Sequence, residues 1–268
     1  MGAIKRLPTL YIPHGGGPCF FIDPPAEHPH MWDGLAAYLR GIDASLGARP
    51  KAVVVVSGHW EMPQPTANIA ERPKLLFDYY GFPEHTYRLK YPVSGAPELE
   101  PRVRSLLADA GFDLDVDAKR GLDHGVFVPF LLIYPNADVP IMQLSLQQSL
   151  DPAMHLAIGR ALAPLRERGI LIVGSGMSYH NLAAMFSGRG APAASAFDAW
   201  LGEAIRDPRT RDGKLAAWRE APGGRESHPR PEHLLPLMVA AGAADGDPGM
   251  RSFAESIAGN AISGFQFG

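Results

Sequence analysis

Four runs of apolar residues stand out along the chain: TLYIP (9–13), KAVVVVSG (51–58), VPIMQLSL (139–146) and GILIVGSG (169–176). The second and fourth are almost unbroken and β-branched, the pattern of strands buried on both faces. Between them the apolar positions change to a helical period over Trp32 to Leu46, Pro97 to Ala110, Val126 to Tyr134 and Pro152 to Glu167. Pro97 and Pro152 suit the first turn of a helix, and Asp151 is placed to cap the last of these. AASAFDAWLGEAIRD and PEHLLPLMVAAGA add two helices, the second with an internal Pro236, and NAISGFQFG reads as a final strand. No repeat, low-complexity tract or long linker interrupts the pattern. Residues 1–268 therefore read as a single α/β domain, a layered fold with a central mostly parallel or mixed sheet flanked by helices.

In such folds ligands collect beyond the carboxyl ends of the strands. His14 follows the first strand, in YIPHGGGP, and His59 follows the second, in VVVVSGHW. The fourth runs into GSGMSYHNL, which carries Ser175, Tyr179 and His180. Three strands thus end near a histidine, and the expected site lies there. Gly15, Gly16 and Gly17 permit a tight turn and the close approach of a ligand. No Lys-Ser or Lys-Thr follows them, so a phosphate-binding loop is not indicated. His124, in GLDHGVF, stands at a helix start, where a capping role competes with a functional one. His233, in HPRPEHLLPL, reads as one turn into a helix, where a core role competes, and His228 is near enough to support it. His28, His30, His85 and His155 read as surface residues.

Composition narrows the chemistry. The net charge of -3 leaves no electrostatic footprint for nucleic acid or an anionic membrane surface. No run reaches the roughly 18 apolar residues of a membrane span, and the N-terminal stretch is too short before its proline for a secretory signal. The Met-Gly start lacks the Ser or Thr of a myristoylation motif, because Arg6 stands there. The expectation is a cytoplasmic protein. Cys19 is the only cysteine and reads as a small buried residue, so a thiolate metal cluster is excluded. Ten histidines make imidazole the abundant metal ligand, which points to zinc, iron, manganese or a related divalent ion. Neither a GxSxG elbow nor an HExxH zinc motif is present.

Six segments together resemble the class III extradiol ring-cleaving dioxygenases, on the DOPA 4,5-dioxygenase branch: PHGGGP, VVVVSGHW, YYGFPEHTYRLKYPVSGAPEL, KRGLDHGVFVPFLLIYPNADVPIMQLSL, GILIVGSGMSYHNL and HPRPEHLLPLMVAAGA. They occur in family order and span about residues 8 to 243. The resemblance implies a mononuclear non-haem metal site with His14, His59 and His233 as ligands, in a branch that replaces the wider class's glutamate with a third histidine. It assigns His180 to acid–base chemistry and His124 to bound dioxygen or substrate. His228, Tyr179 and Ser175 are then candidates to bind substrate or support the site. Two positions depart from the usual pattern: Gly58 stands where alanine is common, and His14 is followed by three glycines rather than Gly-Ser-Pro.

The implied reaction uses Fe(II), which chelates both oxygens of a catechol and keeps positions open for dioxygen. The products implied are muconic semialdehydes, from DOPA or a related catecholic acid. Zn(II) is expected to compete for the same imidazoles in the isolated protein. The partners expected are a small-molecule catechol and dioxygen, with no nucleic acid and no membrane, and a homo-oligomer is compatible with the sequence. Two other readings stay open here: a zinc-dependent hydrolase that activates water, and a non-catalytic metal-binding relative of the same fold.

Overall fold

The computed structural model describes residues 6–185, 187 and 189–268. Its strands are β1 (Thr9–Pro13), β2 (Ala52–Met62), β3 (Thr66–Asn68), β4 (Asp115–Asp117), β5 (Ile141–Gln147), β6 (Ile170–Gly176), β7 (Gly249–Ile257) and β8 (Asn260–Phe267). They join one mixed sheet in the order β4-β3-β5-β2-β6-β1-β8-β7. The central β5, β2, β6 and β1 run parallel, and β8 and β7 close one edge antiparallel. The helices are α1 (Asp33–Ser45), α2 (Glu100–Asp109), α3 (His124–Ile133), α4 (Pro152–Leu162), α5 (Leu182–Met185), α6 (Ala191–Ala204), α7 (Pro208–Ala216), α8 (Gly224–Ser227) and α9 (Leu235–Ala243). Among the described residues no helix is long and apolar enough to cross a membrane.

The alternation of side chains along β2 explains the layers. Val53 and Val55 share a core with Leu35 and Leu39 of α1 and Phe127 and Phe130 of α3. Val54 and Val56 face the opposite core, with Leu107 of α2, Leu156 of α4 and Leu237 of α9. All four valines are buried, and each such side chain contributes about 1.5–3 kcal/mol. The register then sets the site. Pro13 of β1 pairs with Gly176 of β6, and Ser57 of β2 pairs with Ser175 on the other side, so three strand ends lie abreast.

Helix α9 packs closer than side chains would allow. A Cβ on Gly176 would lie 2.1 Å from the His233 carbonyl oxygen, and one on Gly174 would lie 2.1 Å from that of Pro236. Gly242 of α9 meets α4 in the same way, 2.1 Å from the Leu156 carbonyl oxygen. The far end of α9 is closed by Arg166, which is 1% exposed. It donates from Nε to the Leu7 carbonyl at 2.7 Å, from Nη1 to the Ala243 and Ala244 carbonyls at 3.1 and 2.9 Å, and from Nη2 to the Asp247 carboxylate at 2.6 Å. A guanidinium there satisfies carbonyls that a helix C-terminus leaves without donors.

Several expectations are corrected. Strand β2 continues to Met62, so His59 lies within it, where the pairing with β5 shifts register between Val56 and Glu61. His233 precedes α9 rather than sitting inside it, and Pro236 occupies its first turn, where a missing N–H costs nothing. The stretch from Pro152 breaks at Leu162 into a 3-10 segment, Ala163–Arg168. Asp151 caps α4, its carboxylate accepting from the Ala153 amide at 2.8 Å. His155 is buried rather than on the surface, its Nδ1 donating to the Asp151 carbonyl at 2.6 Å and its Nε2 accepting from the Gln147 amide at 3.1 Å.

Candidate active site

The three abreast strand ends deliver the first two histidines. The His14 amide donates to the Gly176 carbonyl at 3.1 Å, and the Met177 amide donates to the His233 carbonyl at 3.1 Å, so β6 tethers both the β1 exit and the approach to α9. Tyr11 adds a hydrogen bond from its hydroxyl to the same His233 carbonyl at 2.8 Å. Gly15, at φ +82°, makes the turn after His14, and a Cβ on it would strike the Cys19 sulfur. Gly58, one of the departures from the usual pattern, faces the Glu232–His233 backbone: an added Cβ would lie 3.0 Å from the Glu232 carbonyl oxygen.

His14, His59, His124, His180 and His233 line one cavity of about 420 Å³. The Nδ1 of His14 donates to the Gly15 carbonyl at 2.7 Å, and its Nε2 is buried without a partner. The Nδ1 of His233 donates to Glu232 Oε1 at 2.9 Å, and that of His59 lies 3.6 Å from Asp78 Oδ2. The Nε2 atoms of His59 and His233 are then left facing each other at 3.1 Å. At that distance one ring can donate to the other, and with the His59 proton on Nδ1 beside Asp78 both lone pairs instead face one point, where a cation fits. Ligands about 2.1 Å from one ion, roughly at right angles, stand about 3.0 Å apart. One ligand atom from each of His14, His59 and His233 can be chosen so that all lie within 4.8 Å of one another, and this donor set fits a divalent metal.

Electrostatics favour the neutral, ligating form. Burial, then the neighbouring imidazoles, holds His14 and His233 well below the usual histidine range. Burial and then His124 bring His59 down to about 4. Such rings offer lone pairs at neutral pH without first losing a proton.

The other two histidines are aimed by carboxylates. Asp78 Oδ1 accepts from both the His124 ring Nδ1 at 2.8 Å and the His124 amide at 2.9 Å. Burial pushes Asp78 up, and the bonds from His124 together with His59 more than reverse it. The His180 ring stacks on His233 with centroids 3.4 Å apart, its Nδ1 3.2 Å from Glu232 Oε1. Glu232 behaves as Asp78 does, with His180 and Arg230 outweighing burial to hold it below its usual range. Beneath them Asp123, fully buried, accepts from Ser57 Oγ at 2.8 Å and from Arg120 at 3.1 Å, which ties β2 to the start of α3.

Asp78 and Glu232 are the functional carboxylates that sequence reasoning missed. Asp78 lies one residue before a quoted segment and Glu232 inside one, and Glu232 directly precedes His233, which was the available signal. Three expected supporting residues do not line the cavity. His228 is buried with Nε2 3.0 Å from the Ser178 carbonyl, and its ring packs on Phe197 and Trp218. Tyr179 is buried with its hydroxyl over Gly190. Ser175 is buried under α3 and donates to the Gly125 carbonyl, next to His124. Cys19 reaches the cavity as a thiol, since burial pushes it up to about 12.

Residues 8–265 match the family described as the catalytic LigB subunit of aromatic ring-opening dioxygenase. The chain belongs to this family, the class III extradiol dioxygenases. It is a metal-dependent enzyme that opens an aromatic ring with dioxygen. It is 45% identical over 199 residues to a 4,5-DOPA dioxygenase extradiol from Beta vulgaris, covering 73% of this chain and 74% of that one. A protein of the same name from Mirabilis jalapa is 37% identical over 259 residues, covering 96% and 94%. The crystal structure of an uncharacterized protein from Escherichia coli K12 matches with a TM-score of 0.78 at 29% identity, covering 98% of this chain and all of the other.

Proposed function

We propose that this dioxygenase cleaves a catechol beside its two hydroxyls, with His14, His59 and His233 holding Fe(II) through Nε2. The observation that carries this reading is the orientation of three imidazoles. Hydrogen bonds commit Nδ1 of His14 and His233, Asp78 lies beside that of His59, and all three Nε2 atoms are left for one ion. Bound there, the ion supplies one centre at which both catechol oxygens and dioxygen are held and electrons pass between them. The names of the relatives bring DOPA or a related catecholic acid forward as substrate and a muconic semialdehyde as product.

The protein's own groups handle protons and water. His180 accepts a catechol proton at Nε2, while Glu232 beside its Nδ1 stabilises the imidazolium that results. His124, fixed by Asp78, in its protonated form donates from Nε2 to the oxygen that gains negative charge. The apolar walls exclude water, which strengthens both interactions. In the net reaction one ring carbon–carbon bond and the O–O bond break. Both oxygen atoms enter the product, and the ring supplies the electrons without an external reductant. A cytoplasmic setting, which keeps iron reduced, suits this chemistry and the single buried Cys19.

Oxygen uptake tests the reading. Protein loaded anaerobically with Fe(II) consumes one dioxygen per catechol, with the absorbance of a ring-opened semialdehyde rising in step. A zinc-only sample that turns over at the Fe(II) rate overturns the redox mechanism.

A further inference from the structure

The imidazole cluster forms only the inner end of the cavity. Beyond it the wall is apolar, built by Ile22, Trp32, Phe82, Met177, Leu182 and Met185. Among the described lining residues none is a lysine, arginine, aspartate or glutamate. Tyr79 has already given its hydroxyl hydrogen to the Thr86 carbonyl at 2.7 Å, and Tyr80 is 91% exposed. Asp78 and Glu232 contact the histidines and do not line the cavity. An ionised group attached close to the catechol ring would leave water there and gain no protein partner.

We propose that the preferred substrate is a catechol bearing an uncharged apolar substituent, alkyl or aryl, ahead of one bearing a carboxylate or a zwitterionic tail. This rests on the ring-opening reading above, and for the substrate class of that same site it departs from the DOPA-like acid that the relatives' names bring forward. With the two hydroxyls at the histidine end, the substituent is directed along the apolar wall. A volume of about 420 Å³ leaves space there beyond the bare ring. A hydrophobic pocket gains about tenfold in kcat/KM for a methylene it accommodates.

The test compares 4-ethylcatechol, 3,4-dihydroxybenzoate and DOPA on the Fe(II)-loaded enzyme by oxygen uptake. The expected kcat/KM for 4-ethylcatechol exceeds both others by about tenfold or more, with most of the difference in KM. Calorimetric titration of the zinc-loaded protein with the same three compounds gives the same order of affinity, a readout that needs no turnover. If DOPA or dihydroxybenzoate matches or exceeds 4-ethylcatechol in both measurements, the substrate class is overturned and ring opening stands. If no catechol supports oxygen uptake, the ring-opening reading fails, and this inference with it. Leu182, 63% exposed, gives a variant that spares the fold. Leu182→Arg shifts the dihydroxybenzoate to 4-ethylcatechol ratio of kcat/KM upward by up to about fivefold, the reach of a solvent-screened ion pair, and a ratio that falls overturns the placement of the substituent on this wall.

Discussion

Helix α9 meets a cluster of buried titratable side chains at each end, and the clusters differ in how completely their nitrogens are hydrogen-bonded. At its C-terminal end Nε, Nη1 and Nη2 of Arg166 all donate to carbonyl or carboxylate oxygens. Arg211 adds bonds to the Asp247 and Asp245 carbonyls at 2.7 and 2.9 Å. Just before the N-terminal end, hydrogen bonds fix Nδ1 of His14 and His233, and His14 Nε2 is left buried without a partner. Buried polar groups are nearly always paired. Saturation at one end therefore marks a structural clamp, and open lone pairs at the other mark a place for an ion.

The comparison breaks most visibly at the histidine end. His59→Ala is expected to lose the bound metal and all measurable turnover. His180→Gln is expected to keep the metal and lose about 10²–10⁴-fold in single-turnover rate. Metal content and rate on the same preparation decide both. Loss of the metal in His180→Gln would make that ring a ligand, and near-normal turnover would move the base to His124.

At the clamp end the effect should fall on stability. Arg166→Met removes a buried cation and leaves carbonyls and Asp247 unpaired, at a cost of about 3–5 kcal/mol by denaturant unfolding. Turnover per folded molecule stays unchanged. A large loss of turnover with stability intact would erase the distinction between the two ends.

A smaller effect comes from His228, which burial lowers to about 4 although it does not line the cavity. The unfolded ring titrates near 6.5, so below that pH the unfolded chain binds a proton that the folded chain refuses. Stability is full above about 6.5 and declines as pH falls toward 4, by about 2 kcal/mol at pH 5. His228→Gln should lose that part of the acid sensitivity. Unfolding at pH 7.5 and pH 5 measures it, and equal acid sensitivity in both proteins would contradict a buried neutral ring.

Much of the frame was legible because burial on both faces writes itself as unbroken apolar runs, as in Val53 to Val56. β7 was not, since an edge strand keeps one face in water and its GMRSFAESI is buried only at Gly249, Phe253 and Ile257. The hairpin to β8 also hides, because its left-handed pair is Ala258-Gly259 rather than Asn-Gly. The three histidines near strand ends were visible as a group, and the structure brings them to one cavity together with His124 and His233. Asp78 and Glu232 were not, since a single carboxylate in a loop has no period and the rings they aim, His124 and His180, lie about 50 residues away in sequence. His228 and Tyr179 lie outside the cavity lining, because closeness in sequence does not set the direction of a side chain.

The backbone contacts of Gly174 and Gly176 bear on how this molecule can vary over generations. A methyl group at Gly176 would have to displace the His233 carbonyl by more than an ångström to reach ordinary contact. Ligand distances in a metal site tolerate shifts of only about 0.2 Å. The histidine side of the cavity is therefore closed to gradual substitution, while Leu182 and Tyr80 across from it end in open space. A lineage built on this backbone can diversify what it accepts while the three-imidazole geometry is inherited unchanged.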